Sequence, residues 1–296
     1  MQQILVTGAN GFVGNYLVRE LLLSNYYVIA TGKGESRLDI ESDHLIYQSL
    51  DFTNDEELKI FFEKYKPDVI IHSGAMSKPD ECELNNEAAF RTNVTGTINL
   101  LSHSKMIKSF FVYISTDFVF SGNKQVYDEK SMDTFPVNYY GETKLLAEGE
   151  VRNYEFDWAI VRTVLVYGKP LKNRQNLLTN TAIALQKREP LKIFDDQVKT
   201  PTYVGDLVNG IVSIVKKKST GVFHLSGKDK LTPYQMSIAV ADHLDLDASL
   251  ISKVNSYEFK QPAKRPANCI FDLSKAKNEL DYDPISFEEG LKKTFE

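Results

Sequence analysis

Tyr140 and Lys144 stand four residues apart in the run YGETK, which would place both side chains on one face of a helix. A free phenol ionises near pH ~10, too high for efficient proton exchange at neutral pH. A lysine cation ~4 Å away, at an effective dielectric of ~20, favours the phenolate by up to ~4 kcal/mol. That is enough to bring the phenol towards neutrality, where it could act as a general acid. Spacing alone is a weak signal, because a chain with 15 tyrosines forms such pairs by chance. The weight comes from Ile114-Ser115-Thr116-Asp117 upstream, which reads as a strand ending in hydroxyls. Thr116 would polarise a substrate carbonyl for Tyr140 to protonate, with Ser115 the weaker candidate.

Such a site needs a frame, and the N-terminus supplies one. Residues 4–14 spell ILVTGANGFVG, a strand running into Gly8-x-x-Gly11-x-x-Gly14 and then a helix. Gly8 allows the tight turn, Gly11 lets backbone approach a pyrophosphate, and Gly14 permits close helix–sheet packing. Asn10, Phe12 and Val13 complete the turn and join the candidate cofactor-binding set. Free N–H groups at the helix start would hold the phosphates of a dinucleotide. An NAD site usually ends its second strand on an acid that takes the ribose 2′-hydroxyl. This chain reads Ala30-Thr31-Gly32-Lys33 there, with Arg37 close behind. Lys33 and Arg37 could pair with a 2′-phosphate, so NADP(H) is favoured over NAD(H).

Apolar runs alternate with helical patterns over the first two-thirds of the chain. Strands are expected at 3–7, 26–31, 68–72, 109–115 and 158–162, and helices at 12–23, 55–65, 87–105 and 141–152. Buried strands alternating with helices predict an α/β fold, a doubly wound parallel sheet. After Tyr167 the pattern loosens: helices are expected at about 176–187, 204–215 and 232–244 and a last sheet strand at 221–225, and the remainder is polar and mixed. The expected layout is a nucleotide-binding domain over 1–167, rejoined by 203–228, with a smaller C-terminal substrate-binding lobe from 168–202 and 229–296.

Composition narrows the classes. The chain has 296 residues, 42% hydrophobic and 25% charged, with a net charge of −5. A nucleic-acid binder would usually be basic, so none is expected as a partner. Cys82 and Cys269 form no Cys-x-x-Cys arrangement, which excludes a disulfide framework or zinc ribbon and suits a reducing compartment. No apolar stretch approaches the ~18 residues of a membrane span, and no signal peptide is evident. A cytoplasmic, non-membrane protein is expected.

Taken together, the residues resemble the extended short-chain dehydrogenase/reductase family, and within it the dTDP-4-dehydrorhamnose reductase branch. The resemblance runs through VTGANGFVG, Asp51-Phe52 after the third strand, IIHSGAMSKPDECE (70–83), YISTDFVFSG (113–122), YGETK and VRTVLVYG (161–168). FDDQVKTPTYVGDL (194–207), FHLSG (223–227) and RPANCIFDLSK (265–275) extend it to the C-terminal third. It implies that Asp51 and Phe52 border an adenine and that Gly74, Ala75 and Ser77 line the nicotinamide side. Asn93 joins the cofactor-binding set, more as a hydrogen-bonding helix residue than a catalytic one. Lys144 would hold the nicotinamide ribose, and Thr116 and Asp117 would face the sugar. His72 reads better as a strand-end packing residue, and Arg162 as a loop anchor. Arg265 would meet either a diphosphate or an ordinary salt-bridge partner. Leu165 stands where members of the branch usually carry a Trp, which removes a flat aromatic wall from the sugar site. The carboxylates through which some members hold magnesium find no match, so no metal is carried over.

The resemblance implies an NADPH-dependent reductase of the 4-keto group of a nucleotide-linked deoxysugar, with dTDP-4-dehydro-L-rhamnose the leading substrate. A homodimer is compatible with it. Related dehydratases carry an acid directly after Thr-Asp, where this chain has Phe118, which argues against water elimination. An epimerase stays open, because Tyr140 and Lys144 serve either reaction. So does a non-catalytic role, since the regulatory beta subunit of methionine adenosyltransferase resembles the same branch.

Overall fold

Alternate side chains of a strand point to opposite faces of a sheet, so a strand apolar throughout needs cover on both sides. The computed structural model, which describes residues 1–171, 175–259 and 261–296, meets that need with layers of helices around a parallel sheet. In chain order the first half comprises β1 (Gln3–Thr7), α1 (Phe12–Leu23), β2 (Tyr27–Gly32), β3 (Leu45–Ser49), α2 (Asp55–Lys64), β4 (Val69–His72), α3 (Pro79–Leu84), α4 (Asn86–Phe90), α5 (Gly96–Ile107), β5 (Phe110–Thr116) and α6 (Tyr139–Arg152). The second half adds β6 (Trp158–Thr163), β7 (Val166–Tyr167), α7 (Leu177–Gln186), β8 (Leu191–Phe194), β9 (Val198–Lys199), β10 (Thr202–Tyr203), α8 (Val204–Lys217), β11 (Gly221–His224), α9 (Pro233–His243), β12 (Ile251–Val254), β13 (Asn268–Cys269), α10 (Ser274–Leu280) and α11 (Phe287–Phe295).

Seven strands form one sheet in the order β11-β6-β5-β4-β1-β2-β3, every pair parallel. This is the doubly wound order with one strand added beyond β6, and its switch point falls between β1 and β4. Ile4, Val6, Val28, Ala30, Ile71 and Val161 pack on one face against Leu17 and Leu21 of α1 and Leu207 and Ile211 of α8. Leu5, Ile29, Ile70, Phe111 and Ile160 pack on the other against Leu58 of α2, Leu100 of α5 and Ala147 of α6. Two faces of the same strands thus fill two separate cores.

Beyond the sheet, β7 pairs with β10, β8 with β12 and β9 with β13, each parallel and short. β12, β13, α10 and α11 arise in the stretch whose sequence shows no clear period. β12, β13 and α10, of two to seven residues, are too brief to display one, whereas α11 does bury Phe287, Gly290, Leu291 and Thr294 at helical spacing behind a Ser286–Glu289 capping box. The single helix expected over 87–105 is instead divided: α4 runs into a π-helical turn, Arg91–Thr95, before α5 begins. Such a turn inserts an extra residue and rotates the side chains that follow. Among the described residues, no helix is long and apolar enough to cross a membrane.

Candidate active site

The glycine turn closes where β1 and β4 diverge. Gly8 has φ +69°, and a Cβ on it would meet Gly74 Cα at 2.7 Å. Gly14 packs tighter still, its missing Cβ lying 2.2 Å from the Gly8 carbonyl oxygen. Only backbone without side chains fits this approach. Gly11 caps α1 with no side-chain hydrogen bond, and the first turn holds no acid. The N–H groups there are left for an anion, which fits the pyrophosphate of a dinucleotide. Phe12 and Val13 pack partly buried against the core beneath.

Asn10 organises the loop after β2. Its Oδ1 accepts the Arg37 N–H at 2.8 Å, while Nδ2 donates to the Glu35 carbonyl at 3.0 Å and to the Tyr47 hydroxyl at 2.8 Å. Lys33 and Arg37 are both exposed on this loop. Lys33 is not a free cation: its Nζ lies 2.8 Å from Asp51 Oδ2. Asp51 also accepts from the Thr53 N–H and hydroxyl at 3.0 and 2.8 Å. Phe52, expected beside an adenine, is mostly buried, its ring edge-on to His72 and filling the space a side chain on Gly74 or Gly96 would need.

The Gly74–Ser77 segment is pinned from α5's side. Asn93, in the π-helical turn, accepts the Met76 N–H at 2.8 Å, donates to the Met76 carbonyl at 3.1 Å and donates to Thr143 Oγ1 at 3.0 Å. Asn93 thereby ties the segment carrying Gly74 and Ala75 to α6, while Ser77 is exposed. His72 sits at the end of β4 between Thr7 Oγ1 (2.7 Å) and Thr97 Oγ1 (3.1 Å). Burial, with the Lys144 ammonium adding to it, pushes its pKa down to about 3, so this ring is neutral.

Thr116, Tyr140 and Lys144 converge at the carboxyl edge of β5. Asn138 caps α6 by accepting the Gly141 N–H at 2.9 Å. Gly141 lets α6 touch the Phe118 carbonyl, its absent Cβ lying 2.2 Å from that oxygen. Tyr140 is consequently buried, with Phe118 edge-on to its ring. Burial raises the Tyr140 phenol above its usual value, the Thr116 hydroxyl beside it offsets part of this, and the Asp117 charge adds to the rise. This reverses the expectation that Lys144 brings the phenol towards neutrality. The Lys144 Nζ instead donates to the Ile114 carbonyl at 2.7 Å and stands 4.0 Å over the Tyr113 ring. Burial lowers Lys144 to about 7 although Glu148 acts in the opposite sense.

Behind these groups Glu148 is fully buried and accepts from Ser115 at 2.6 Å and from Arg162 at 2.9 and 2.7 Å. Arg162 therefore braces α6 against β5 and β6, a wider role than anchoring a loop. Leu165 takes an unusual positive φ of 35°, and its carbonyl accepts the Thr202 N–H at 3.1 Å. Arg265 makes the ordinary salt bridge, meeting Asp80 with both arms at 2.7 Å. Lys199, which no local pattern singles out, meets Asp117 in the interior at 3.3 Å. Among the described residues no group of His, Cys, Asp and Glu could hold a metal ion.

A glycine turn at the switch point and a Thr–Tyr–Lys group at the next strand's edge define a dinucleotide-binding protein of the extended short-chain dehydrogenase/reductase class. The family model of the RmlD substrate binding domain matches residues 1–296, and the chain belongs to that family. A crystal structure of dTDP-4-dehydrorhamnose reductase from Bacillus anthracis in complex with NADP superposes with a TM-score of 0.87 at 28% identity, covering 100% of this chain and 99% of that one. Methionine adenosyltransferase 2 subunit beta of Mus musculus is 28% identical over 299 residues, 99% of this chain and 87% of that protein. The probable low-salt glycan biosynthesis reductase Agl14 of Haloferax volcanii is 27% identical over 97% of this chain and 95% of its own.

Proposed function

We propose that this protein is an NADPH-dependent reductase of the 4-keto group of a nucleotide-linked deoxysugar, with dTDP-4-dehydro-L-rhamnose its leading substrate. The observation that carries this reading is the convergence of Thr116, Tyr140 and Lys144 at the carboxyl edge of the sheet whose β1 runs into the glycine turn. The similarity to a dTDP-4-dehydrorhamnose reductase crystallised with NADP supports it. NADPH, when bound, would supply the hydride for the carbonyl carbon. Tyr140 gives its proton to the carbonyl oxygen, which becomes the hydroxyl of the product. A high phenol pKa keeps that proton in place until negative charge develops on the oxygen. Thr116, whose own proton goes to Asp117, offers its oxygen to the Tyr140 hydroxyl and so orients the proton donor, and Lys144 would hold the nicotinamide ribose and, when charged, favours the phenolate left behind. Arg37 and Lys33 would hold the NADPH 2′-phosphate, Lys33 in competition with Asp51. The sugar nucleotide would be received by the lobe expected from 168–202 and 229–296, within which Ala276, Leu280 and Tyr282 pack instead into the core on the α1–α8 face of the main sheet.

Deuterium at the transferable position of NADPH tests the reaction type. A reductase leaves the label on the sugar carbon that bore the ketone, whereas epimerisation consumes no reduced cofactor and leaves none. A second reading, a subunit role without turnover, is supported by the similarity to methionine adenosyltransferase 2 subunit beta over nearly the whole chain. Its sign is stable co-purification with a partner and no turnover of any sugar nucleotide.

A further inference from the structure

Lys199 carries a charge into the interior beside the reacting groups. It lies on β9, is 4% exposed, and is 82 residues from Asp117 in sequence. Its Nζ donates to Asp117 Oδ2 at 3.3 Å and to the Pro266 carbonyl at 2.9 Å. Burial works against its charge, but Asp117, with the nearby Cys269 thiol, outweighs this and leaves it above the usual lysine value. Asp117 is 2% exposed, and its other oxygen accepts the Thr116 hydroxyl at 3.1 Å. Thr116 Oγ1 in turn accepts the Phe118 N–H at 3.2 Å. Two directed bonds therefore fix the Thr116 oxygen on the side that faces Tyr140.

Well-packed apolar residues could join β9 to this turn without desolvating two charges, so a buried pair here is not explained by stability alone. What the pair adds is a carboxylate acceptor of fixed position for the Thr116 hydroxyl. We propose that Lys199 is a positioning residue: by holding the Asp117 carboxylate it sets the Thr116 oxygen opposite Tyr140, and it couples that hydroxyl to the segment bearing β9 and β13. The inference rests on the reductase reading.

The experiment compares wild type, Lys199→Met, Lys199→Arg, Asp117→Asn and the Lys199→Met/Asp117→Asn double variant in NADPH oxidation with dTDP-4-dehydro-L-rhamnose, with NADPH affinity measured separately. Lys199→Met is expected to lower kcat by about tenfold or more while NADPH affinity stays within about twofold, and Lys199→Arg to recover most of the loss. The double variant should fall no further than the worse single one, because both changes break one chain of contacts. Should Lys199→Met not fold, Asp117→Asn, which keeps the shape of the side chain, is expected to show the same kcat loss. Unchanged kcat in Lys199→Met, or in Asp117→Asn where that variant carries the test, overturns the inference. So do additive losses, or a loss shared equally by NADPH affinity and not recovered by Lys199→Arg. A wild type that reduces no keto sugar nucleotide removes the reductase reading and this inference with it, whereas an active wild type confines any failure to Lys199.

Discussion

The Phe118 carbonyl oxygen occupies space that a side chain on Gly141 would need, its distance from the missing Cβ being 2.2 Å. α6 therefore meets the Thr116 turn through bare backbone, and the neighbouring Tyr140 is carried against Thr116. Gly141→Ala must push α6 away by a substantial fraction of an ångström. A misplacement of that order can cost about 100-fold in rate. The expected result is a kcat lower by at least about tenfold with little change in NADPH affinity, read by steady-state kinetics and a binding titration. Unchanged kcat would show that this contact does not position Tyr140.

Lys144 makes stability depend on pH. Its folded pKa of about 7 lies below the ordinary 10.5, burial being the cause. At pH values below the folded pKa both folded and unfolded chains carry the proton, and the burial cost is fully present. As pH rises from about 7 towards 10.5 the folded chain loses the proton first, the cost is relieved, and stability grows. Lys144→Met lacks this gain. Its stability relative to wild type should be greatest near pH ~6 and fall by on the order of a few kcal/mol by pH ~10. Denaturant unfolding across that range checks it, and a difference independent of pH would contradict it.

Arg37 and Lys33 face different costs in meeting a 2′-phosphate, because Lys33 must share or leave Asp51. Lys33→Ala with Arg37→Ala is expected to weaken NADPH by about 10- to 100-fold, the worth of one or two charge-assisted bonds. NADH affinity should stay within about twofold. Of the single variants, Arg37→Ala should lose more. Fluorescence titration of both cofactors gives the answer, and equal losses for NADPH and NADH would remove the 2′-phosphate role.

Glu148 is a buried carboxylate bonded to Ser115 and Arg162. Glu148→Gln leaves the fully buried Arg162 guanidinium without its counter-charge, which typically costs about 3–5 kcal/mol. A lower denaturation midpoint of that size is expected, and a change under about 1 kcal/mol would mean that the pair contributes no more than an exposed one.

The parts of this molecule legible from sequence are those written in short-range pattern. Gly8, Gly11 and Gly14 lie within one strand–turn–helix, and Tyr140 and Lys144 within one helical turn, so their neighbourhoods follow from spacing. Contacts between distant segments are not written that way. Lys199 and Asp117 are 82 residues apart, and Arg265 and Asp80 are 185 apart. The direction of the Tyr140 shift is illegible in sequence for a related reason: an i, i+4 spacing shows which charge is near but not how far packing excludes water. The π-helical turn at Arg91–Thr95 escaped because one inserted residue leaves the helical period almost intact.

The most direct test is the loss of NADPH absorbance when purified protein meets dTDP-4-dehydro-L-rhamnose, with Tyr140→Phe run beside the wild type. Turnover is expected of the wild type, and of Tyr140→Phe a kcat lower by about 10²- to 10⁴-fold with NADPH still bound. Tight NADPH binding without turnover of this or any other keto sugar nucleotide, or a Tyr140→Phe variant as active as wild type, would contradict the reductase reading.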